Sequence, residues 1–252
     1  MSEDEGGRAA AGDLGRAVWP SVPERALVLV PLGSTEQHGP HLPLSTDTVI
    51  ARAVAERAAG ILAAEAAGPV LVAPAIEYGA SGEHAGFPGT VSIGHEALRA
   101  LLVETVRSLA LWAGRIVFVN GHGGNVPTLD AALGQMRGEG HDAAWAGCGV
   151  PGGDAHAGLT ETSVMLHLVP GLVRMADAAP GDTRPLAEVL PEMIARGVRA
   201  VSPSGVLGDP SGATPEQGQD ILDKMVAAVV RRIGEWSADG RGRLLDPGVP
   251  SP

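Results

Sequence analysis

Along most of the chain, short unbroken apolar runs alternate with longer stretches of helical periodicity. RALVLVPLG (25–33) is continuously apolar, the pattern of a strand buried on both faces. DTVIARAVAERAAGILAAEA (47–66) has helical spacing and strong helix formers, with Ser45 or Thr46 available to cap its start. PVLVAPAI (69–76) reads as a second strand and TVSIG (90–94) as a third, weaker one. HEALRALLVETVRSLALWA (95–113) is an amphipathic helix, RIVFVN (115–120) a buried strand, and VPTLDAALGQMRGEG (126–140) a helix ended by glycine. DAAWAGCG (142–149) suits a strand, and TETSVMLHLV (160–169) a short helix with Thr160 as its cap. Beyond Pro170 the chain is rich in Pro and Gly, with a helix expected near 185–196 and a last long helix over 214–236.

This alternation predicts an α/β layered fold with a mostly parallel central sheet. No internal repeat is present. One domain, residues 21–238, is the simplest division, with mobile tails expected over 1–20 and 239–252.

Composition narrows the function classes. A chain of 252 residues, 44% hydrophobic and 19% charged, is long enough and apolar enough for a buried core. A net charge of −11 argues against nucleic acid as a partner, since phosphate binding needs basic patches. Cys148 is the sole cysteine, so no internal disulfide can form. No apolar stretch approaches the roughly 20 residues of a membrane span. The first residues, MSEDEGGRAAAGDLGR, are acidic and lack the basic and apolar regions of a signal peptide, so a soluble cytoplasmic protein is expected.

The chemistry gathers where strands end. PLGSTEQHGPHLPLSTDT (31–48) brings Glu36, His38 and Asp47 together just after the first strand and at the start of the next helix. In an open α/β sheet that edge is where ligands sit. His122, in NGHGGN, leaves the strand 115–120, and His156 and Glu161, in DAHAGLTETS, lead into another helix start. Imidazole and carboxylate groups without thiolates suit Zn²⁺, Mn²⁺ or Fe²⁺. A shared aspartate would hold two such ions about 3.5–4 Å apart, as in two-metal hydrolases. Each residue alone has a plainer reading: Asp47 and Glu161 can simply favour helix N-termini, and a lone histidine can be a hydrogen-bonded loop residue. His41, His95, His141 and His167 lack a carboxylate constellation at a strand end and are read as structural.

Four motifs, PLGSTEQHGPHLPLSTD, SGEHAGFPGTVSIG, NGHGGN and HAGLTETS, occur in an order that resembles the creatininase, or creatinine amidohydrolase, family from about residue 25 to 236. YGASGEH, CGVPGGDAHAGLTETSVMLHL and GVLGDP are most similar to the members that serve mycofactocin maturation. The resemblance implies a layered α/β/α creatininase-like fold carrying a binuclear metal-dependent amidohydrolase. It implies Glu36, His38, Asp47 and His122 as ligands, with Asp47 bridging, and His156 as a proton-transfer residue. Creatininase itself has a glutamate where this chain has Gly124, so the role passes to Glu161; Leu159 also replaces an acid found in many relatives. Glu83 and His84 could support the metal ligands, contact substrate or serve loop structure, and the neighbouring Pro88 and Gly89 favour loop structure. The implied metals are two divalent ions, Fe²⁺ and Zn²⁺ first and Mn²⁺ as an alternative. The implied substrate is a modified precursor peptide that loses a C-terminal Val-Tyr dipeptide, and the implied assembly a homo-oligomer such as a hexamer, without nucleic-acid or membrane partners. The alternatives are a small-molecule amidohydrolase acting on creatinine or a formamide, and a metal-stabilised binding scaffold.

Overall fold

The computed structural model describes residues 11–65 and 68–246. Five strands form one parallel sheet: β1 (Ala11–Asp13), β2 (Leu27–Leu32), β3 (Val70–Val72), β4 (Arg115–Asn120) and β5 (Ala143–Gly147), in the order β1-β3-β2-β4-β5. Among the described residues seven α-helices accompany them: α1 (Thr46–Ala64), α2 (Gly94–Leu109), α3 (Val126–Gly138), α4 (Leu159–Leu168), α5 (Leu186–Arg196), α6 (Val198–Val201) and α7 (Pro215–Glu235). The chain moves outward from β2 to β3, then crosses to β4 on the other side. That reversal makes the gap between the ends of β2 and β4 the switch point of the sheet.

Why the strands are apolar throughout follows from the two faces. Every residue of β2 is buried. Leu27 and Leu29 face one core with Val117 and Val119, under α1, α4 and α7. Val28 and Val30 face the other with Ile116 and Phe118, under α2 and α3. Side chains alternate across a strand, so a six-residue apolar run serves both layers at once. The α1 face against the sheet is mostly alanine, with Ala51, Ala55, Ala58 and Ala59 fully buried, which keeps that helix close to the strands. The result is the α/β/α sandwich expected from the alternation. Among the described residues no helix is long and apolar enough to cross a membrane.

Several expectations change. TVSIG (90–94) is not a strand: Val91 makes only an antiparallel bridge to Thr35 and is 45% exposed. Gly89 and Gly94, at φ +93° and +75°, bend the chain on both sides of it. The bridge still matters, because it pins the backbone one residue before Glu36. Thr160 does not cap α4, whose N-cap is Gly158; Asp154 instead accepts the Thr160 N–H at 3.0 Å, a bond that reaches back six residues. Residues 11–20, expected in a mobile tail, contain β1, which pairs in register with Val70–Val72. Residues 239–246 also pack: Leu244 is buried and Asp246 pairs with Arg232 at 2.7 Å. Local sequence gives no sign of these long-range pairings. The remaining tail residues and the expected end of the first helix at residue 66 lie outside the described residues.

Candidate metal centre

Glycine decides how close the pieces of the site come. A Cβ on Gly33, just past β2, would lie 2.5 Å from the Thr48 backbone, and one on Gly121, just past β4, 2.5 Å from the Asp47 carbonyl. Both distances are impossible for a side chain, so the two glycines let the first turn of α1 settle onto the strand ends. Asp47 then reaches the residues that leave β2 and β4.

The sequence candidates converge. Asp47 Oδ1 lies 3.0 Å from His38 Nε2, and Asp47 Oδ2 lies 3.3 Å from His122 Nδ1. Glu36 Oε1 is 3.2 Å from His122 Nδ1, and Glu161 Oε2 is 3.7 Å from His38 Nε2. His156 Nδ1 lies 3.8 Å from Glu36 Oε1. Glu36, Asp47 and His122 form one group able to hold a metal, and His38, His156 and Glu161 a second, with the Asp47 carboxylate between them. His41 stays outside, bonded through Nε2 to Thr162 Oγ1, and His95 bonds Thr128.

The hydrogen bonds behind the imidazoles set their orientation. His38 Nδ1 donates to the Glu36 carbonyl at 3.1 Å, His122 Nε2 to the Ala80 carbonyl at 3.2 Å and His156 Nε2 to the Gln37 carbonyl at 2.8 Å. In each ring the other nitrogen faces the carboxylates. Metal-binding histidines characteristically tie down one nitrogen in this way. The carboxylates show the complementary sign: both Glu36 oxygens and Asp47 Oδ2 are buried without a hydrogen-bond partner. Burying charged oxygens unpaired is costly, and divalent cations are the partners this donor set suits. The residues present therefore fit the pair of ions that the sequence implies.

Electrostatics point the same way. Burial works to raise Glu36, but the imidazoles of His122, His84 and His156 overcome it and hold the carboxyl well below its ordinary value. Burial opposes charge on His38, yet Asp47 and Glu161 raise it to about 10. Burial and the Asp47 charge, against the pull of His38, lift Glu161 to about 7. His156 is pushed well down by burial and by the charge on His38, which leaves it a neutral base at pH 7.

Two further buried residues join the site, one that the sequence left open and one that it did not single out. His84 is not merely loop structure: it is buried, and Nε2 lies 3.3 Å from Glu36 Oε1. Gln37 is buried among the histidines, although strict strand alternation would turn it away from Glu36 and His38. The EH pair of SGEH was the available signal for His84; nothing local signals Gln37. Glu83 Oε1 sits 3.5 Å from His122 Nε2, in space that a side chain at 124 would need, since a Cβ on Gly124 would lie 2.4 Å from that oxygen.

A cavity of about 640 Å³ opens beside this cluster. His84, His122 and His156 border one side, and Leu186, Leu190, Met193 and Ile194 of α5 the other.

With that geometry in place, comparison with known proteins is decisive. The creatinine amidohydrolase family profile matches residues 16–233. The chain belongs to the creatininase family. It is a hydrolase of C–N amide bonds. It is 56% identical over 232 residues to the mycofactocin precursor peptide peptidase of Mycobacterium ulcerans, covering 90% of each chain. It is 54% identical over 238 residues to the enzyme of that name from Mycobacterium tuberculosis H37Rv, covering 92% of this chain and 95% of the other. Among solved structures, a manganese form of creatininase superposes with a TM-score of 0.71 at 29% identity, covering 88% of this chain and 97% of that one.

Proposed function

We propose that this member of the creatininase family is a binuclear metal-dependent peptidase that removes a C-terminal Val-Tyr dipeptide from a modified mycofactocin precursor peptide. The observation that carries the hydrolytic part is the cluster of unpartnered Glu36 and Asp47 oxygens among forward-facing imidazoles on the wall of a large cavity. The relatives named mycofactocin precursor peptide peptidase, 54–56% identical over most of the chain, support the substrate. The cavity supports it too. Its volume suits a peptide end rather than a single small ring. The α5 residues provide an apolar wall for side chains.

In this reading Glu36, Asp47 and His122 would hold one divalent ion, and His38 and Glu161, together with Asp47, the other. Such ions, Fe²⁺, Zn²⁺ or Mn²⁺, supply Lewis acidity and an acidified water when bound. The chain's own groups then place the protons. Hydrolysis joins a water oxygen to the carbonyl carbon and breaks the C–N bond. The proton lost by water must end on the leaving nitrogen. His156 suits that transfer, because its Nε2–H is committed to the Gln37 carbonyl and Nδ1 is left free toward the cleft. The buried walls exclude bulk water and fix these groups in advance. We also read the enzyme as a cytoplasmic homo-oligomer, a hexamer by family likeness; light scattering that returned a monomer at micromolar concentration would remove that element.

The deciding experiment is incubation of the purified, metal-loaded protein with the modified precursor peptide, followed by mass spectrometry. Loss of the C-terminal dipeptide mass supports the assignment. An intact peptide, with turnover of a small amide instead, rejects it.

A further inference from the structure

Four histidines ring the centre, and one of them is held the opposite way round. His38, His122 and His156 each give a rear N–H to a backbone carbonyl and turn the other nitrogen inward. His84 has no such carbonyl behind it. Its Nδ1 lies 2.8 Å from Gln37 Nε2. An amide NH₂ can only donate, so Nδ1 must accept, and the proton of a neutral His84 ring must sit on Nε2.

The direction of the Gln37 amide is itself determined. Gln37 Oε1 accepts the Gly39 N–H at 2.9 Å, and Nε2 faces the Gly205 carbonyl at 3.2 Å. Gln37 Nε2 also lies 3.0 Å from His156 Nε2, but that nitrogen gives its proton to the Gln37 carbonyl at 2.8 Å, so the two amide hydrogens go to His84 Nδ1 and the Gly205 carbonyl. Reversing the amide would set NH₂ against N–H and oxygen against oxygen. Its position is fixed as well. Gly205 stands at φ +84°, and a Cβ there would fall 1.8 Å from Gln37 Oε1, so the amide occupies space that a side chain at 205 would need. Gln37 is therefore a buried clamp that keeps a proton on the inward nitrogen of His84.

That inward N–H borders the cavity together with His122 and His156. It lies 3.3 Å from Glu36 Oε1, but the two are not aligned as a hydrogen bond, and both Glu36 oxygens remain without one. The N–H is thus left for something that enters the cleft. The ring centroids of His84 and His156 are 4.5 Å apart, and His84 Nε2 and His156 Nδ1 approach the same oxygen, Glu36 Oε1, at 3.3 and 3.8 Å, so the proton-bearing nitrogen of one lies near the proton-accepting nitrogen of the other.

We propose that His84 is a catalytic hydrogen-bond donor to the carbonyl oxygen of the scissile amide, with Gln37 as the positioning residue that keeps Nε2 protonated. The inference rests on the amide-hydrolase reading above. The donor meets an oxygen that gains negative charge as water adds to the carbonyl carbon. His84 stays neutral throughout, and no proton leaves it. It is not a metal ligand, because a lone pair on its inward nitrogen would require the proton to move to Nδ1, against the Gln37 NH₂ at 2.8 Å. This distinguishes it from the Glu36, His84 and His156 grouping that distance alone would allow.

The test has two arms. In the metal-free protein labelled with ¹⁵N-histidine, long-range proton–nitrogen NMR reads the tautomer of each ring, whether or not any peptide is cut. Wild type should show His84 protonated on Nε2, and Gln37→Leu should lose that preference. In the metal-loaded protein, His84→Ala should lower kcat on the peptide by about 10²–10³-fold with little change in KM, the loss typical of a missing oxyanion donor. His84→Gln, which keeps an N–H within reach, should recover much of it. Metal content should equal that of wild type in both variants. An Nδ1–H tautomer in wild type overturns the proposal, as does unchanged kcat in His84→Ala. So does loss of a metal from His84→Ala, which would make His84 a ligand. If wild type cuts no peptide, the functional reading fails while the NMR arm still decides the tautomer.

Discussion

Asp47 and His38 meet at 3.0 Å, nine residues apart in the chain and delivered by different elements. Asp47 comes from the first turn of α1, and His38 from the loop that leaves β2. The other Asp47 oxygen reaches His122, so one carboxylate joins two imidazoles that approach from neighbouring strands. That sharing has a direct consequence. Asp47→Asn should weaken binding at both metal positions, each by more than the 10–100-fold that loss of an outer partner typically costs. His38→Ala should weaken one. Elemental analysis and zinc titration of the metal-free variants read the difference; a single-site loss in Asp47→Asn would show that the residue does not bridge.

Glu161 carries the second prediction. If it stands in for the carboxylate absent at Gly124, as proposed, Glu161→Gln should lose most hydrolysis and the occupancy of one metal. The metal-free protein should respond in the opposite sense. Glu161 is raised from an ordinary value near 4.5 to about 7 by burial and Asp47. A carboxyl raised on folding keeps its proton in the folded state where the unfolded chain has lost it, so it erodes stability as pH rises from about 4.5 to 7. The melting temperature of metal-free Glu161→Gln should therefore gain on that of wild type across this range. Parallel curves would show that the carboxyl is not held protonated.

Metal loading should release protons. His38, raised to about 10 by Asp47 and Glu161 against the effect of burial, carries a proton at pH 7 that a metal must displace. Calorimetric titration of the metal-free protein with Zn²⁺ in buffers of different ionisation heat should give release of at least about one proton, and affinity should fall as pH drops. A heat independent of the buffer would contradict this.

The core makes its own prediction. Leu29 is fully buried under α1 and α7 in the middle of β2. Leu29→Ala should cost about 2–5 kcal/mol, from lost transfer energy and a residual cavity. Because β2 leads directly to Glu36, metal affinity should fall along with the urea midpoint. Unchanged affinity in a destabilised variant would show that the site is held independently of this strand.

Much of the fold was legible because it is local. The strand at 115–120 and the helices near 47, 186 and 215 follow from runs and spacing that a few neighbouring residues fix. The capping box of α7, where Thr214 and Gln217 satisfy each other's backbone N–H groups, depends on residues three apart. The edge strand Ala11–Asp13 was not legible, because its short sequence has no apolar run and its structure comes from pairing with Val70–Val72. TVSIG failed the other way: its β-branched residues suit a strand, but flanking glycines leave it only one bridge.

By itself the sequence determined which side chains could bind metal and which strand ends would carry them, since residue type and element order are written along the chain. Family likeness then singled out Glu161 in the absence of an acid at Gly124. Only the tertiary structure decided how those groups face. That Asp47 is shared follows from Gly33 and Gly121 letting α1 press against two strands. That His84 differs from the other histidines follows from Gln37, whose amide is oriented by Gly39 and Gly205, the latter 168 residues away. Where a proton sits on an imidazole depends on what stands behind the ring, and that is a relation between distant segments which no local pattern contains.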